Sequence, residues 1–318
     1  MQHIAEQLQQ AQRIVLLPHE KPDGDALGSC FALMAALQAM GKEVYVDIEE
    51  QNITPRYVFM AEGWKQPPED FTPDVVVALD CGERKMLGAR RGEKYPDIHV
   101  CIDHHRTGEG FGGLSHVDPS AAATGELVYD LIKLLGVAIS KHMALCLYVA
   151  LASDTGCFKF SNTTDRSFMM AADLWRIHGT FDVINYQLFT LRSKAQMELE
   201  RFVMDTLEFR MGGKIASIAI TQQMRKETSA GEDDIGAFAQ VTRSIEGVEI
   251  GVTFKEQPDG SWRISMRGSP RVDVSAICKQ LGGGGHVRAS GCTAQGDLQQ
   301  ARDLVLGVAQ QALEALEQ

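Results

Sequence analysis

The sequence predicts an α/β protein. A doubly wound, mainly parallel sheet domain spans residues 1–190, a connecting helix spans 191–210, and a smaller mixed α/β domain spans 211–318. Three observations predict it. Short, almost continuously apolar runs alternate with helical patterns in the first part, as expected of a parallel sheet covered on both faces. A charged, helix-prone stretch without Gly or Pro follows. Beyond it come shorter strand patterns, a hairpin signal and one long helix. A chain of 318 residues can bury two cores.

The elements follow in order. "RIVLLP" reads as a strand that ends just before His19. "ALGSCFALMAALQAMG" reads as a helix closed by Gly41. "EVYVDI", "DVVVALD" and "HVCID" are further strands, and "TGELVYDLIKLLG" and "KHMALCLYVALA" are helices. After "TTDRSFMMAADLWRIHG", the run "RSKAQMELERFVMDTLEF" is the connecting helix. "GGKIASIAI" and "VEIGVTFKEQPDGSWRISMRG" follow, with "KEQPDGSWR" as a turn, and "DLQQARDLVLGVAQQALEAL" closes the chain as a helix.

Composition narrows the function. Lys plus Arg is 31 against 42 Asp plus Glu, a formal net charge of −11. An acidic chain repels polyphosphate, so binding of long duplex nucleic acid is not expected, whereas a short nucleotide needs only a few local Arg and Lys residues. The start "MQHIAEQLQQAQ" is unlike a secretory signal, and "ALCLYVALAS" is too short to cross a bilayer. Seven scattered cysteines, with no CxxC pair, read as reduced thiols in a cytoplasmic protein.

Chemistry collects where the strands end. His19 follows the first strand. Asp80 ends "VVVALD", and Asp103, His104 and His105 follow "HVCI". Ligands bind at the carboxyl edge of open α/β sheets. Asp154 closes a helix and could join them. In "HEKPDGDALGS" the backbone beyond Pro22 is expected to be extended, so that Asp23 and Asp25 share a side, with Gly24 permitting a tight turn. Four converging carboxylates (Asp23, Asp25, Asp80 and Asp154) would repel one another and take up protons. Two divalent cations would balance them. Carboxylates with a minority of imidazoles favour Mn²⁺ or Mg²⁺ over a thiolate-bound zinc ion. Taken singly, such an Asp is a cap or turn residue, and such a His is a packed or surface residue. The case for metal rests on several of them sharing one sheet edge.

At "DHH", residues 103–105, the sequence resembles the DHH phosphoesterase family. The blocks "HEKPDGDALGS", "VALDCG", "CIDHH" and "LASDTGCFKFSNTT" match in order, and "GGGGH" at 282–286 is similar to the family's associated C-terminal domain. The arrangement most resembles the members that hydrolyse short oligoribonucleotides and dephosphorylate the 3′,5′-bisphosphate pAp. The resemblance implies that His19, Asp23 and Asp80 hold one metal. It gives the other to Asp25, Asp80, His104 and Asp154, with Asp80 bridging. Mn²⁺ is the expected ion, with Mg²⁺ or Co²⁺ as substitutes. His105 would protonate the leaving oxygen or stabilise charge, and Asp103 would orient one of the histidines. Gly283, Gly284, Gly285 and His286 would hold a terminal phosphate or nucleotide through free amides and an imidazole. Arg267 is a candidate phosphate clamp. The family commonly carries Arg before Leu-Gly after the second-block aspartate. Here Met86 stands there, so the phosphate contact is open among Arg84, Lys85 and Arg267.

The expectation is a cytoplasmic, metal-dependent hydrolase with its active site between two domains. It would act on short oligonucleotides, dinucleotides or pAp, without membrane attachment; a homodimer is allowed. The rivals are a cyclic- or linear-dinucleotide phosphodiesterase, a single-strand exonuclease, a pyrophosphatase of related fold, and a non-catalytic nucleotide-binding protein. The last is disfavoured because all six ligand positions and His105 are filled.

Overall fold

The computed structural model describes the whole chain except residues 106, 107, 109, 237 and 318, and except the side chains of residues 50, 233 and 286. The chain divides into two units, Met1–Leu191 and Arg192–Gln318.

The first unit runs α1 (Gln2–Gln10), β1 (Arg13–Leu17), α2 (Gly24–Ala39), β2 (Glu43–Val46), β3 (Val75–Leu79), α3 (Gly88–Lys94), β4 (Val100–Asp103), β5 (Leu114–Val117), α4 (Thr124–Leu134), α5 (Lys141–Asp154), α6 (Asp165–His178) and α7 (Asp182–Asn185). Its sheet has the order β2-β1-β3-β4-β5 and is parallel throughout. Alternate side chains divide between two cores. Ile14, Leu16, Val75 and Val77 join one cluster, while Val15, Leu17, Val76 and Ala78 join the other. Both faces are therefore covered, which is why these strands read as unbroken apolar runs. β5 is an edge strand of mixed polarity and carries little of that signal. The order reverses between β1 and β3, so the crevice at their carboxyl ends is the topological switch point.

α2 is buried nearly all round. It packs on α5 so closely that a Cβ on Gly28 would lie 2.3 Å from the Cys146 carbonyl oxygen, and one on Gly24 would lie 1.9 Å from Ser153 Oγ. Gly24 is thus required by helix packing, not by the tight turn the sequence suggests. The helix also starts two residues earlier than expected, because Asp23 caps it.

The second unit contains α8 (Lys194–Met204), β6 (Glu208–Arg210), β7 (Ile215–Ile220), α9 (Gln222–Thr228), α10 (Glu232–Gly236), α11 (Phe238–Val241), β8 (Ile250–Glu256), β9 (Trp262–Gly268), α12 (Val274–Gln280), β10 (Gly284–His286), β11 (Ala289–Ala294) and α13 (Leu298–Glu317). Its sheet has the order β10-β11-β9-β8-β7-β6 and is antiparallel except for β7 against β8. The expected connecting helix over 191–210 is shorter. Residues 208–210 leave it to pair with β7, where ladder hydrogen bonds outweigh helix propensity. Leu199 and Val203 of α8 pack with Ile218, Ile220 and Phe238, so this helix is a part of the second unit's core.

Candidate metal centre

Three parallel strands deliver the side chains. His19 lies two residues past β1, Asp80 directly follows β3, and Asp103 ends β4 with His104 and His105 behind it. Asp80 has φ +59°, a left-handed conformation that is strained for a residue with a Cβ. The strain is local to the switch point, where Asp80 is wholly inside the crevice with 3% of its side chain exposed.

Asp80 faces two ways. Its Oδ2 lies 3.8 Å from His19 Nε2, which is also 3.8 Å from Asp23 Oδ1. Its Oδ1 lies 3.7 Å from His104 Nε2, which is 3.7 Å from Asp25 Oδ2 and 3.1 Å from Asp154 Oδ2. Two sets of donors therefore meet at one carboxylate: His19, Asp23 and Asp80, and Asp25, His104 and Asp154. Within each set the donor atoms lie within 4.8 Å of one another. A third set joins Asp80, His104 and His105. These separations leave space for an ion among the donors and are too long for hydrogen bonds, apart from the His104–Asp154 contact.

Asp23 and Asp25 do not share a side on an extended loop. Asp23 is the cap of α2, where its Oδ1 accepts from the amides of Asp25 and Ala26 at 3.0 and 3.1 Å. Asp25 sits in the first helical turn, so the two carboxylates serve different donor sets. Buried Asp25 accepts from Ser29 Oγ and from the amides of Thr124 and Gly125, at 3.1, 2.7 and 2.9 Å. Thr124 Oγ1 donates to Asp80 Oδ1 at 2.9 Å. Thr124, Gly125 and Ser29 escaped the sequence reading. They are ordinary helix-start and helix-interior residues in the chain, about a hundred positions from Asp25 in the case of the first two.

The histidine tautomers follow from their partners. His104 Nδ1 lies 3.3 Å from the Ala121 carbonyl, which can only accept, so Nδ1 carries a proton and Nε2 faces the carboxylates, donating to Asp154 while protonated and free to ligate an ion once it is not. His105 Nδ1 donates to Asp103 Oδ1 at 2.7 Å. Of the two histidines, Asp103 thus hydrogen-bonds His105. Its other oxygen, Oδ2, is buried without a hydrogen-bond partner among the described residues. Asp154 is fixed by its position at the end of α5. Asn162 Nδ2 ties down its carbonyl at 3.1 Å, and three successive left-handed residues, Gly156, Cys157 and Phe158, follow.

The electrostatics fit a cation. Burial, then the charges of Asp23 and Asp154, push the Asp80 carboxyl up to about 6. Burial and the charges of Asp80 and Asp154 raise Asp25 well above the carboxylate range. Burial alone would lower His104, but the Asp154 hydrogen bond and the charges of Asp25 and Asp80 prevail and push it up to about 10. Protons are thus drawn to positions where a divalent ion would otherwise sit. The nearby thiols of Cys30 and Cys81 are raised by burial and by Asp80, so they stay protonated. The donors are carboxylates and imidazoles, the latter neutral once a metal replaces their protons, a set suited to hard divalent ions.

The second unit holds the remaining candidates. Gly284, Gly285 and His286 form β10, paired with Gly291, Ser290 and Ala289. The run is therefore a strand and not an open loop. Gly283 has no room for a Cβ, which would lie 2.1 Å from the Gly291 oxygen. The side chain of His286 lies outside the described residues. Arg267 is half-buried on β9, with Nη1 3.1 Å from the Met266 carbonyl. Arg84 gives one guanidinium nitrogen to the carbonyls of Gly92, Tyr95 and Pro96, and Lys85 pairs with Glu83 at 2.6 Å. Both basic residues of this segment are thereby engaged within their own neighbourhood. Among the described residues, no helix is long and apolar enough to cross a membrane.

Residues 13–151 match the DHH family, N-terminal domain, and residues 213–315 match the DHHA1 domain. The chain is 34% identical over 302 residues to the bifunctional oligoribonuclease and PAP phosphatase of Thermus thermophilus, covering 94% of this chain and 90% of that protein. Its fold superposes on an exopolyphosphatase-related protein from Bacteroides fragilis with a TM-score of 0.86 at 23% identity, covering 99% and 97% of the two chains. It superposes on RecJ in complex with Mn²⁺ from Thermus thermophilus with a TM-score of 0.57 at 14% identity, covering 98% of this chain and 54% of that one. With its catalytic-domain and DHHA1 matches in sequence order and its parallel sheet carrying the acidic crevice, the chain belongs to the DHH family of phosphoesterases.

Proposed function

We propose that this hydrolase cuts short oligonucleotides to mononucleotides and removes phosphate from pAp, using two divalent ions, Mn²⁺ first among them. The observation that carries the reading is Asp80, whose two oxygens face two separate donor sets. His19, Asp23 and Asp80 would hold one ion; Asp25, Asp80, His104 and Asp154 would hold the other. Such ions, when bound, neutralise phosphate and lower the pKa of a coordinated water.

The chain's own residues supply the rest. The amides of Thr124 and Gly125 and the Ser29 hydroxyl orient the Asp25 carboxylate, and a bound cation would favour its ionised form over the proton that burial draws to it. Thr124 fixes the rotation of Asp80. Asp103 fixes the His105 ring and raises its pKa through their hydrogen bond, so His105 keeps a proton to give to the leaving oxygen. We assign phosphate binding in the second unit to Arg267, Gly283, Gly284, Gly285 and His286, and substrate capture to that unit as a whole. The seven free cysteines fit a reducing, cytoplasmic setting. The relative from Thermus thermophilus, named for both activities, supports the choice of substrates.

The test is turnover by the full chain with Mn²⁺ on pAp, a dinucleotide, a longer RNA and pyrophosphate. Preference for the first two is expected. A preference for pyrophosphate, or for long RNA over the dinucleotide, would overturn the reading.

A further inference from the structure

The motif "LASDTGCFKFSNTT" supplies Asp154 to the site and leaves its second half, residues 159–164, without a role. The fold returns that half to the crevice. α5 ends at Asp154, and Gly156, Cys157 and Phe158 follow with φ of +57°, +55° and +64°. The last two carry a Cβ, so the turn is strained. Thr155 pins it. Its Oγ1 accepts from the Phe158 amide at 3.1 Å, and its carbonyl accepts from the amides of Lys159 and Phe160, each at 2.9 Å. The reversal brings Asn162 back onto the end of α5. Its Nδ2 donates to the Asp154 carbonyl at 3.1 Å and to the Ala122 carbonyl at 3.0 Å. A primary amide has two hydrogens, one for each acceptor.

The Ala122 end of this tie lies in a loop, residues 121–125, that backs three donor side chains. The Ala121 carbonyl accepts from His104 Nδ1. The amides of Thr124 and Gly125 donate to Asp25, and Thr124 Oγ1 donates to Asp80. Glu126, wholly buried, holds the same loop from its other side. Its Oε2 accepts from the Ala122 amide at 3.3 Å, and its Oε1 accepts from Ser167 Oγ at 2.7 Å. His104, Asp25 and Asp80 are three of the four donors assigned to the second ion, and Asp154 is the fourth. The Asp154 carbonyl is among the last four of α5, which have no partner inside the helix. The two hydrogen bonds of Asn162 therefore join the loop behind three donors to the helix end that carries the fourth.

We propose that Asn162 is a positioning residue for the second ion, fixing the spacing between Asp154 and the group of Asp25, Asp80 and His104. The proposal rests on the two-ion reading above. An ion needs its donors at set distances, to within about 0.2 Å. The second set draws them from two supports, the 121–125 loop and the end of α5. Without Asn162 the ion itself must hold these supports at the right spacing, and its affinity falls. The set of His19, Asp23 and Asp80 has no member on α5 or on the strained turn, so its ion is spared. The strain at Cys157 and Phe158 is the local cost of returning Asn162 to this place.

The experiment titrates Mn²⁺ into the desalted full chain and reads the free ion by electron paramagnetic resonance, which gives two dissociation constants in wild type. Asp25→Ala identifies the constant that belongs to the second set. Asn162→Ala should raise that constant about tenfold, the worth of one or two lost hydrogen bonds, and leave the other within about twofold. Asn162→Ser, with one donor hydrogen in place of two, should fall between. The urea midpoint of metal-free Asn162→Ala should match wild type, because the residue is exposed and its partners can turn to water. Equal weakening of both ions, with or without a lowered midpoint, assigns Asn162 a general structural role and overturns the proposal. An unchanged second constant, in a protein whose wild type binds two ions, also overturns it and leaves the two-ion reading standing. A wild type that binds fewer than two ions removes that reading, and the proposal with it.

Discussion

At the residue scale, Asp80 decides the geometry because, among the described residues, its two oxygens face both donor sets. Asp80→Ala should leave neither ion firmly held, while Asp25→Ala should damage chiefly the set with His104 and Asp154. Metal analysis after desalting reads this directly, and two tightly held ions in Asp80→Ala would refute the bridge. His105 is a separate matter. His105→Ala should lower kcat by about 10²–10⁴-fold if the ring is a general acid, with metal content unchanged. The loss should shrink on bis-p-nitrophenyl phosphate, whose leaving group needs little protonation; an equal loss on that ester would rule out the acid role. The pKa shifts give a further outcome for metal-free protein. Asp80 is raised to about 6, so the folded state gains stability as pH falls through that value. His104 is raised to about 10, so its stabilising proton is fully present below about 6.5 and is lost as pH rises toward 10. Both signs agree. In excess chelator, the urea midpoint should be higher at pH 5.5 than at pH 8. With Mn²⁺ the trend should reverse, because ligands must shed protons to bind metal.

At the element scale, the site depends on two helix starts meeting under one sheet edge. The first turn of α4 supplies Thr124 and Gly125 to Asp25, and α2 supplies Asp25 itself. This juxtaposition requires α2 to lie close on α5, which the absent side chain of Gly28 permits. A Cβ there meets a backbone carbonyl that cannot swing aside. Gly28→Ala should therefore destabilise by about 1–3 kcal/mol, measured by urea unfolding. No change in midpoint would show that the two helices have slack. The sequence made both helices legible through their apolar patterns. It could not show that Gly24 is small for packing, nor that Asp23 caps one helix while Asp25 rides in its first turn. The length of the connecting helix was misread for a related reason. The Glu208–Arg210 segment has helix-compatible residues, and only the presence of β7 beside it makes a strand the better state.

At the scale of the whole molecule, metal and fold are linked. Ions that bind the folded crevice and not the unfolded chain add stability that grows with the logarithm of their concentration. Chelator should abolish activity and lower the thermal midpoint of the transition that involves the first unit. Mn²⁺ should restore both better than Ca²⁺, whose larger radius and looser coordination suit paired sites poorly. Full activity in excess chelator would dismiss the two-ion reading. The acidic balance of the chain bears on substrates too. With acidic side chains outnumbering basic ones, phosphate binding is expected to be local and not spread over the surface.

The sequence by itself determined the parallel sheet, the helices that flank it and the set of carboxylates and imidazoles at its edge. These are written in local patterns: apolar runs for strands buried on two faces, and charged residues placed directly after them. Tertiary structure alone decided which oxygen of Asp80 faces which histidine, which histidine Asp103 serves, and that Thr124 and Gly125 support Asp25. It also turned the glycine run into a paired strand. Those outcomes depend on contacts between residues far apart in the chain. Strand register and helix packing create them, and no local pattern encodes either.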